Sequence, residues 1–215
     1  MTAEVFLGTE PAPDSTVPDS TAPDSTEAAI LDAAAECVLA FGVRRTSLSD
    51  VARRAGVSRP TVYRRWPDLT ALVADVMTRE WLAAFAAARP DPAGFGTARQ
   101  FTVSYLVTVT GVLRGHPLLR KIIEVDPELL QPYIFDRFGT GQRLALQFLG
   151  ERIAGGQQDG SVRDGDPAML ALTVLLTVQS FVFSGRVATS AAGPQRVDAE
   201  LAELLDRYLR PEVAA

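Results

Sequence analysis

One cysteine and one histidine in 215 residues leave little room for thiol or metal chemistry. Cys37 alone closes no internal disulfide, and with His116 it makes no thiolate and imidazole set of the kind that holds a structural zinc. No metal and no cofactor is expected. The opening residues, MTAEVFLGTE, carry neither the basic stretch nor the apolar run of a secretory signal. The longest apolar stretch, residues 168–183, has the length of a buried helix and contains Thr173, Thr177, Gln179 and Ser180, so it is too short and too polar to span a bilayer. A cytoplasmic chain without a membrane partner is the expectation. Strand-like alternation is missing over any useful length, and apolar residues recur at helical spacing instead. The fold class expected is all-α, with about nine helices.

Positive charge is also lacking overall, the formal charge being -5, yet it gathers in one place. Between Val43 and Trp66 stand seven arginines (Arg44, Arg45, Arg53, Arg54, Arg59, Arg64, Arg65) against the single acid Asp50, a local +6 that leaves -11 for the remainder. A second bias lies at residues 13–26, where PDST recurs three times, separated by Val17 and Ala22. Such a segment buries too little apolar surface to offset chain entropy, and residues 1–25 are expected to form a disordered acidic tail.

Helix signals begin as the repeat ends. Asp24 or Ser25 is placed to cap a helix with Glu27 in its first turn, a stripe of Ile30, Leu31, Ala34, Cys37, Val38 and Phe41, and Gly42 as a left-handed stop. Ser47, with Asp50 three residues on, signals a second helix to Ala55. Gly56 supplies a turn and Ser58 caps a third helix, RPTVYRRW, in which Pro60 fits the first turn. Pro67 ends it, and Asp68 caps a fourth, with Leu72, Val73, Val76, Met77, Trp81 and Phe85 in register. Further helical patterns cover residues 97–113, 117–124, 132–154, 166–186 and 194–209.

Helix, glycine turn, short helix, with Ala52 and Gly56 at the crossing and Val51, Val57 and Val62 between the helices, is what a helix-turn-helix requires. That packing leaves Arg59, Pro60, Thr61, Tyr63 and Arg64 facing outward. Arginines suit phosphate oxygens or a guanine edge, threonine a base edge or thymine methyl, and tyrosine a phosphate. A polyanion is the partner such a surface fits.

The segment ILDAAAECVLAFGVRRTSLSDVARRAGVSRPTVYRRWPDLTALVADV, residues 30–76, resembles the DNA-binding domain of TetR-family transcriptional regulators. The resemblance implies a three-helix DNA-binding head (26–71), a helical effector-binding and dimerisation body (72–215), and repression relieved when a small molecule enters the body. It also implies that Arg45, Ser47, Arg59, Pro60, Thr61, Tyr63 and Arg64 face double-stranded DNA, and that Trp66 is an aromatic core residue. One departure is Leu69, where relatives often carry a phosphate-gripping lysine; Arg44 or Arg45 is expected to compensate.

One recognition helix neutralises few phosphates, so a homodimer reading an inverted repeat, with half-sites ~34 Å or a multiple apart, is expected. Residues 169–185 are apolar almost all round and must be covered on more than one side. Leu172, Leu175, Leu176 and Val182 there, with Leu201, Leu204, Leu205 and Tyr208 near the end, are the expected dimer interface. Trp81, Phe101, Tyr105 and Phe138 are candidate pocket walls, as are Gln147, Phe148, Gln179 and Phe181; each fits a plain core position as well. An apolar wall with few polar groups suits a lipophilic or aromatic effector. Two other functions stay open: a small-molecule binding protein whose head has lost DNA function, and a helical enzyme using Glu124, Asp126 or Asp136. No nucleophile and base, metal set or phosphate loop accompanies those acids, and no catalytic residue is assigned.

Overall fold

The structure, a computed structural model, describes residues 25–212. The proposed cap at Asp24 and most of the PDST repeat lie outside the described residues. Within them stand ten α-helices and no strand: α1 (Ser25–Phe41), α2 (Leu48–Arg54), α3 (Arg59–Arg65), α4 (Leu69–Ala88), α5 (Ala98–Gly115), α6 (Pro117–Val125), α7 (Thr140–Gln158), α8 (Pro167–Phe183), α9 (Gly185–Ala192) and α10 (Pro194–Leu209).

Local chemistry sets the helix ends in the first third of the chain. The Ser47 hydroxyl accepts the Asp50 amide at 3.2 Å while the Asp50 carboxylate accepts the Ser47 amide at 3.2 Å, a reciprocal cap that stabilises α2 by about 1 kcal/mol. The Ser58 hydroxyl accepts from Thr61 at 3.3 Å and Asp68 from Ala71 at 2.8 Å. Gly42 at φ +81° and Gly56 at φ +69° take the left-handed conformation that their turns require.

α1, α2 and α3 pack on one another around Ile30, Val38, Val51 and Val62, all fully buried. α4 runs from this head into the body, lying against α1 at one end and against α5 and α7 at the other. α5 is the axis of the body and touches α4, α6, α7, α8 and α10. One continuous apolar core, from Ile30 to Leu209, joins head and body.

Two expected helices prove to be broken. The pattern over 132–154 divides into a π-helical turn, Pro132–Asp136, an extended Arg137, and α7. Gln142 restarts the helix by accepting the Gly139 amide at 2.7 Å and donating to the Tyr133 carbonyl at 3.0 Å. The pattern over 166–186 ends at Phe183, and α9 departs at 60°. Gly185 lies at that bend against Arg114 of α5, where a Cβ would come within 3.1 Å of the arginine Cδ. No single helix among the described residues is long and apolar enough to cross a membrane; α8 and α9 reach that length only across their bend.

Candidate nucleic-acid interface and body cavity

The seven arginines of the basic stretch divide into two groups. Arg44 donates to Glu128 at 2.8 Å, Arg53 to Asp50 at 2.7 Å and Arg65 to Glu27 at 2.6 Å, and Arg54 pairs with Glu36. Exposed pairs of this kind contribute little stability, but they decide which guanidinium groups are already engaged. Arg45, Arg59 and Arg64 are exposed and make no ion pair among the described residues. Those three are the arginines the sequence assigned to DNA. Of the two arginines expected to compensate for Leu69, which is itself half-buried against the core, Arg44 is already paired and Arg45 is exposed without an ion pair among the described residues.

The other assigned side chains are at least partly exposed. Tyr63 is 51% exposed, Ser47 and Pro60 are exposed, and Thr61 is half-buried with its hydroxyl 2.7 Å from that of Ser58. Beneath them Val62 is fully buried, so α3 shows its polar residues outward and rests on a valine. Trp66 is buried at the end of α3, and its indole N–H donates to Asp75 of α4 at 2.8 Å. It is a core residue, as expected.

A second contact ties this head to the body. Asp126, after α6, is fully buried and accepts the Val43 amide at 2.7 Å and the Arg44 amide at 3.4 Å. The turn between α1 and α2 is thus held by a carboxylate more than eighty residues away. Nothing local in the sequence signals this partner. Asp126, one of the acids of the enzyme alternative, is thus engaged by two backbone amides. Glu124 pairs with Arg186, which holds its carboxyl below the usual carboxylate range, and Asp136 is exposed. Among the described residues no group of three or more histidines, cysteines or acids could hold a metal.

Between α4, α5, α7 and α8 lies a partly open cavity of about 320 Å³. Four expected residues line it: Trp81, Tyr105, Phe148 and Gln179. Tyr105 donates to the Phe85 carbonyl at 3.0 Å, and burial pushes its phenol above the usual range, so it remains neutral. Four others do not line it. Phe101 stacks behind Tyr105 with ring centres 6.0 Å apart, and Phe138 faces a different cavity. Gln147, one residue before Phe148, turns to solvent and donates to Glu151 at 3.2 Å. Phe181, two residues past Gln179, is ~200° round α8. Phe85 and Arg89 were missed; they follow Trp81 at intervals of four, Phe85 on α4 and Arg89 at its C-terminal cap, a spacing that would have found them.

The expected interface residues also divide. Leu201 and Leu205 are fully buried where α10 packs on α5, while Leu175 and Val182 point into the cavity, so these four belong to the protomer's own core. Tyr208 is half-buried with the Arg163 guanidinium 4.7 Å from its ring centre. Leu172 is half-buried, and Leu176 and Leu204 are 53% and 45% exposed. Met169, 57% exposed, extends the α8 stripe by one turn.

Residues 30–76 match the model of the bacterial regulatory proteins of the tetR family. An uncharacterized HTH-type transcriptional regulator of Mycobacterium bovis is 40% identical over 180 residues, covering 84% of this chain and 92% of that one. Among solved structures, SmeT, the repressor of the Stenotrophomonas maltophilia multidrug efflux pump SmeDEF, in its complex with triclosan, aligns with a TM-score of 0.62 at 22% identity, covering 87% of this chain and 92% of that chain. The R. erythropolis transcriptional repressor QsdR, from the TetR family, aligns with a TM-score of 0.63 at 17% identity over 89% of this chain and 100% of that chain.

Proposed function

The chain belongs to the TetR family of DNA-binding transcriptional regulators, and we propose that it is a homodimeric cytoplasmic repressor released from an inverted-repeat operator by an apolar or aromatic small molecule. The observation that carries this reading is the pairing of two features in one protomer: an exposed α3 with uncompensated arginines, and an apolar cavity reached by the same α4 that follows it. Arg45, Ser47, Arg59, Pro60, Thr61, Tyr63 and Arg64 form the DNA surface. The stripe of exposed Met169 and Leu176 with half-buried Leu172 between them on α8, together with exposed Leu204 on α10, is the self-association surface, because uncovered apolar side chains at helical spacing favour a second copy.

The cavity is lined by Trp81, Phe85, Tyr105 and Phe148, with Gln142, Gln179 and Arg89 as its polar groups. That composition favours a lipophilic body with one or two hydrogen-bonding atoms. SmeT is solved with triclosan, an aromatic compound, which supports the same class here. Release follows by linkage: a ligand that binds better to the conformation unsuited to DNA lowers DNA affinity by the factor that DNA lowers its own.

The test is fluorescence anisotropy with the DNA upstream of the chain's own gene. With three uncompensated arginines in each of two heads, the logarithm of affinity should fall against the logarithm of salt with a slope of about -5. Arg59→Ala with Tyr63→Ala should abolish specific binding. Retained specific binding in that double variant refutes the α3 assignment. A library of lipophilic compounds, screened by thermal shift, should yield hits that both raise the melting temperature and release the DNA.

A further inference from the structure

The body holds a second cavity, of about 250 Å³, that meets the apolar one at Trp81 and Gly141, residues that line both. The indole is pressed onto α7: a Cβ on Gly141 would stand 2.7 Å from its Cε3. Its N–H is buried without an acceptor among the described residues. This second cavity is walled by the first three turns of α4, from Thr70 to Trp81, and by the π-helical turn and the start of α7.

Its chemistry differs from that of the first. Arg137 and Arg143 both line it, and neither has a carboxylate partner among the described residues. The Arg143 guanidinium is oriented by the Phe138 carbonyl at 2.6 Å and the Thr140 hydroxyl at 3.1 Å, and that of Arg137 lies 5.6 Å from the Tyr133 ring centre. Asp75 is the one acid in the wall, and its carboxylate already accepts the Trp66 N–H. Aromatic faces from Trp81, Tyr133 and Phe138 make up the rest of the recognition surface.

We propose that this cavity is a second ligand site, for a compact aromatic carboxylate whose ring lies among Trp81, Tyr133 and Phe138 and whose carboxylate is held by Arg137 and Arg143. Planar guanidinium groups match a carboxylate's two oxygens, and the volume limits the ligand to one or two fused rings. The site reports to the head by a short route: its wall contains Asp75, and Asp75 holds Trp66 at the end of the recognition helix. That regulatory clause rests on the DNA-binding reading; the binding clause does not.

Naphthoate and its uncharged amide, titrated calorimetrically into the full chain, test the proposal. Removing both guanidinium groups in Arg137→Met with Arg143→Met should weaken naphthoate by about tenfold or more, while Leu144→Trp, which fills only the apolar cavity, should leave it within about twofold. The amide should bind the wild-type chain about tenfold more weakly and be indifferent to the arginines. Should the double variant fail to fold, Arg137→Met alone, at an exposed position, carries the same expectation at smaller size. Naphthoate affinity that survives loss of both arginines, that disappears in Leu144→Trp, or that is undetectable at millimolar concentration overturns the site. Saturating naphthoate should also change the affinity for the upstream DNA, and the double variant should lose that response. Binding without any change in DNA affinity overturns the coupling to α3, whereas a chain that binds no DNA at all overturns the regulator reading and leaves the calorimetric result to judge the site.

Discussion

Replacing Asp126 by alanine measures what holds the head to the body. Its carboxylate is fully buried and accepts from Val43 at 2.7 Å and Arg44 at 3.4 Å. Truncation leaves the Val43 amide buried with no acceptor, a penalty of ~1–3 kcal/mol, and forfeits hydrogen bonds to a charged group worth ~1.5–3 kcal/mol. The two overlap, and relief of the carboxylate's own desolvation opposes them, so the net loss should be about 2–3 kcal/mol. For a chain of this size each kcal/mol moves the melting temperature by roughly 2–4 °C, giving a drop of ~4–12 °C. Asp126→Asn keeps an acceptor for Val43 and loses only the charge assistance, so it should fall by ~2–4 °C. Thermal unfolding followed by far-UV circular dichroism reads both. An alanine variant that melts within about 1 °C of the wild-type chain refutes the claim that this buried carboxylate is a structural bond between the two parts.

Gly42→Ala should destabilise the same junction, since its φ of +81° costs an alanine ~1–2 kcal/mol and the new Cβ would lie 3.0 Å from both Asp126 Oδ2 and Val125 Cγ1; combined with Asp126→Ala its cost should shrink, because one of the two close neighbours has gone, and strict additivity in melting temperature would contradict this. Cys37 is 3% exposed and burial pushes its thiol above the usual range, so a thiol reagent should label it only as fast as the chain opens; rapid labelling of native protein would contradict its core placement. Asp159, whose carboxyl is held below its ordinary value by Ser161 and by the Ala98 amide, ties the end of α7 to the start of α5. Its stabilising effect is present above the unfolded carboxylate range and is lost as pH falls through the folded value. The acid limb of melting temperature against pH should therefore be shallower in Asp159→Asn than in wild type.

The head was legible because its signals are local. Ser47 with Asp50, Gly56, and Ser58 with Pro60 each act within four residues, and the structure places every one of these caps and turns where spacing puts them. The sorting of arginines was legible only in part. Arg53 has a partner three residues away, but the partners of Arg44 and Arg65 lie 84 and 38 residues off and leave no local trace. In the body, α8 is apolar nearly all round, so periodicity gives no hint of which side meets α5, which lines the cavity and which stays exposed; Leu175 and Leu176 are neighbours with opposite fates. The break before α7 was marked by Gly139 and Gly141 around Thr140, a start signal masked by the apolar residues on either side. Missing that break hid Arg137 and Arg143.

The carboxylate that grips the loop ahead of α2 belongs to a segment far downstream, so the covalent boundary of the head is not its mechanical boundary. Anyone transplanting residues 26–71 onto a relative's body, to build a chimeric sensor with a new operator, would sever that grip unless the recipient offers an equivalent acid after its own sixth helix. A graft that carries residues 117–130 along with the head keeps the two halves of the joint together.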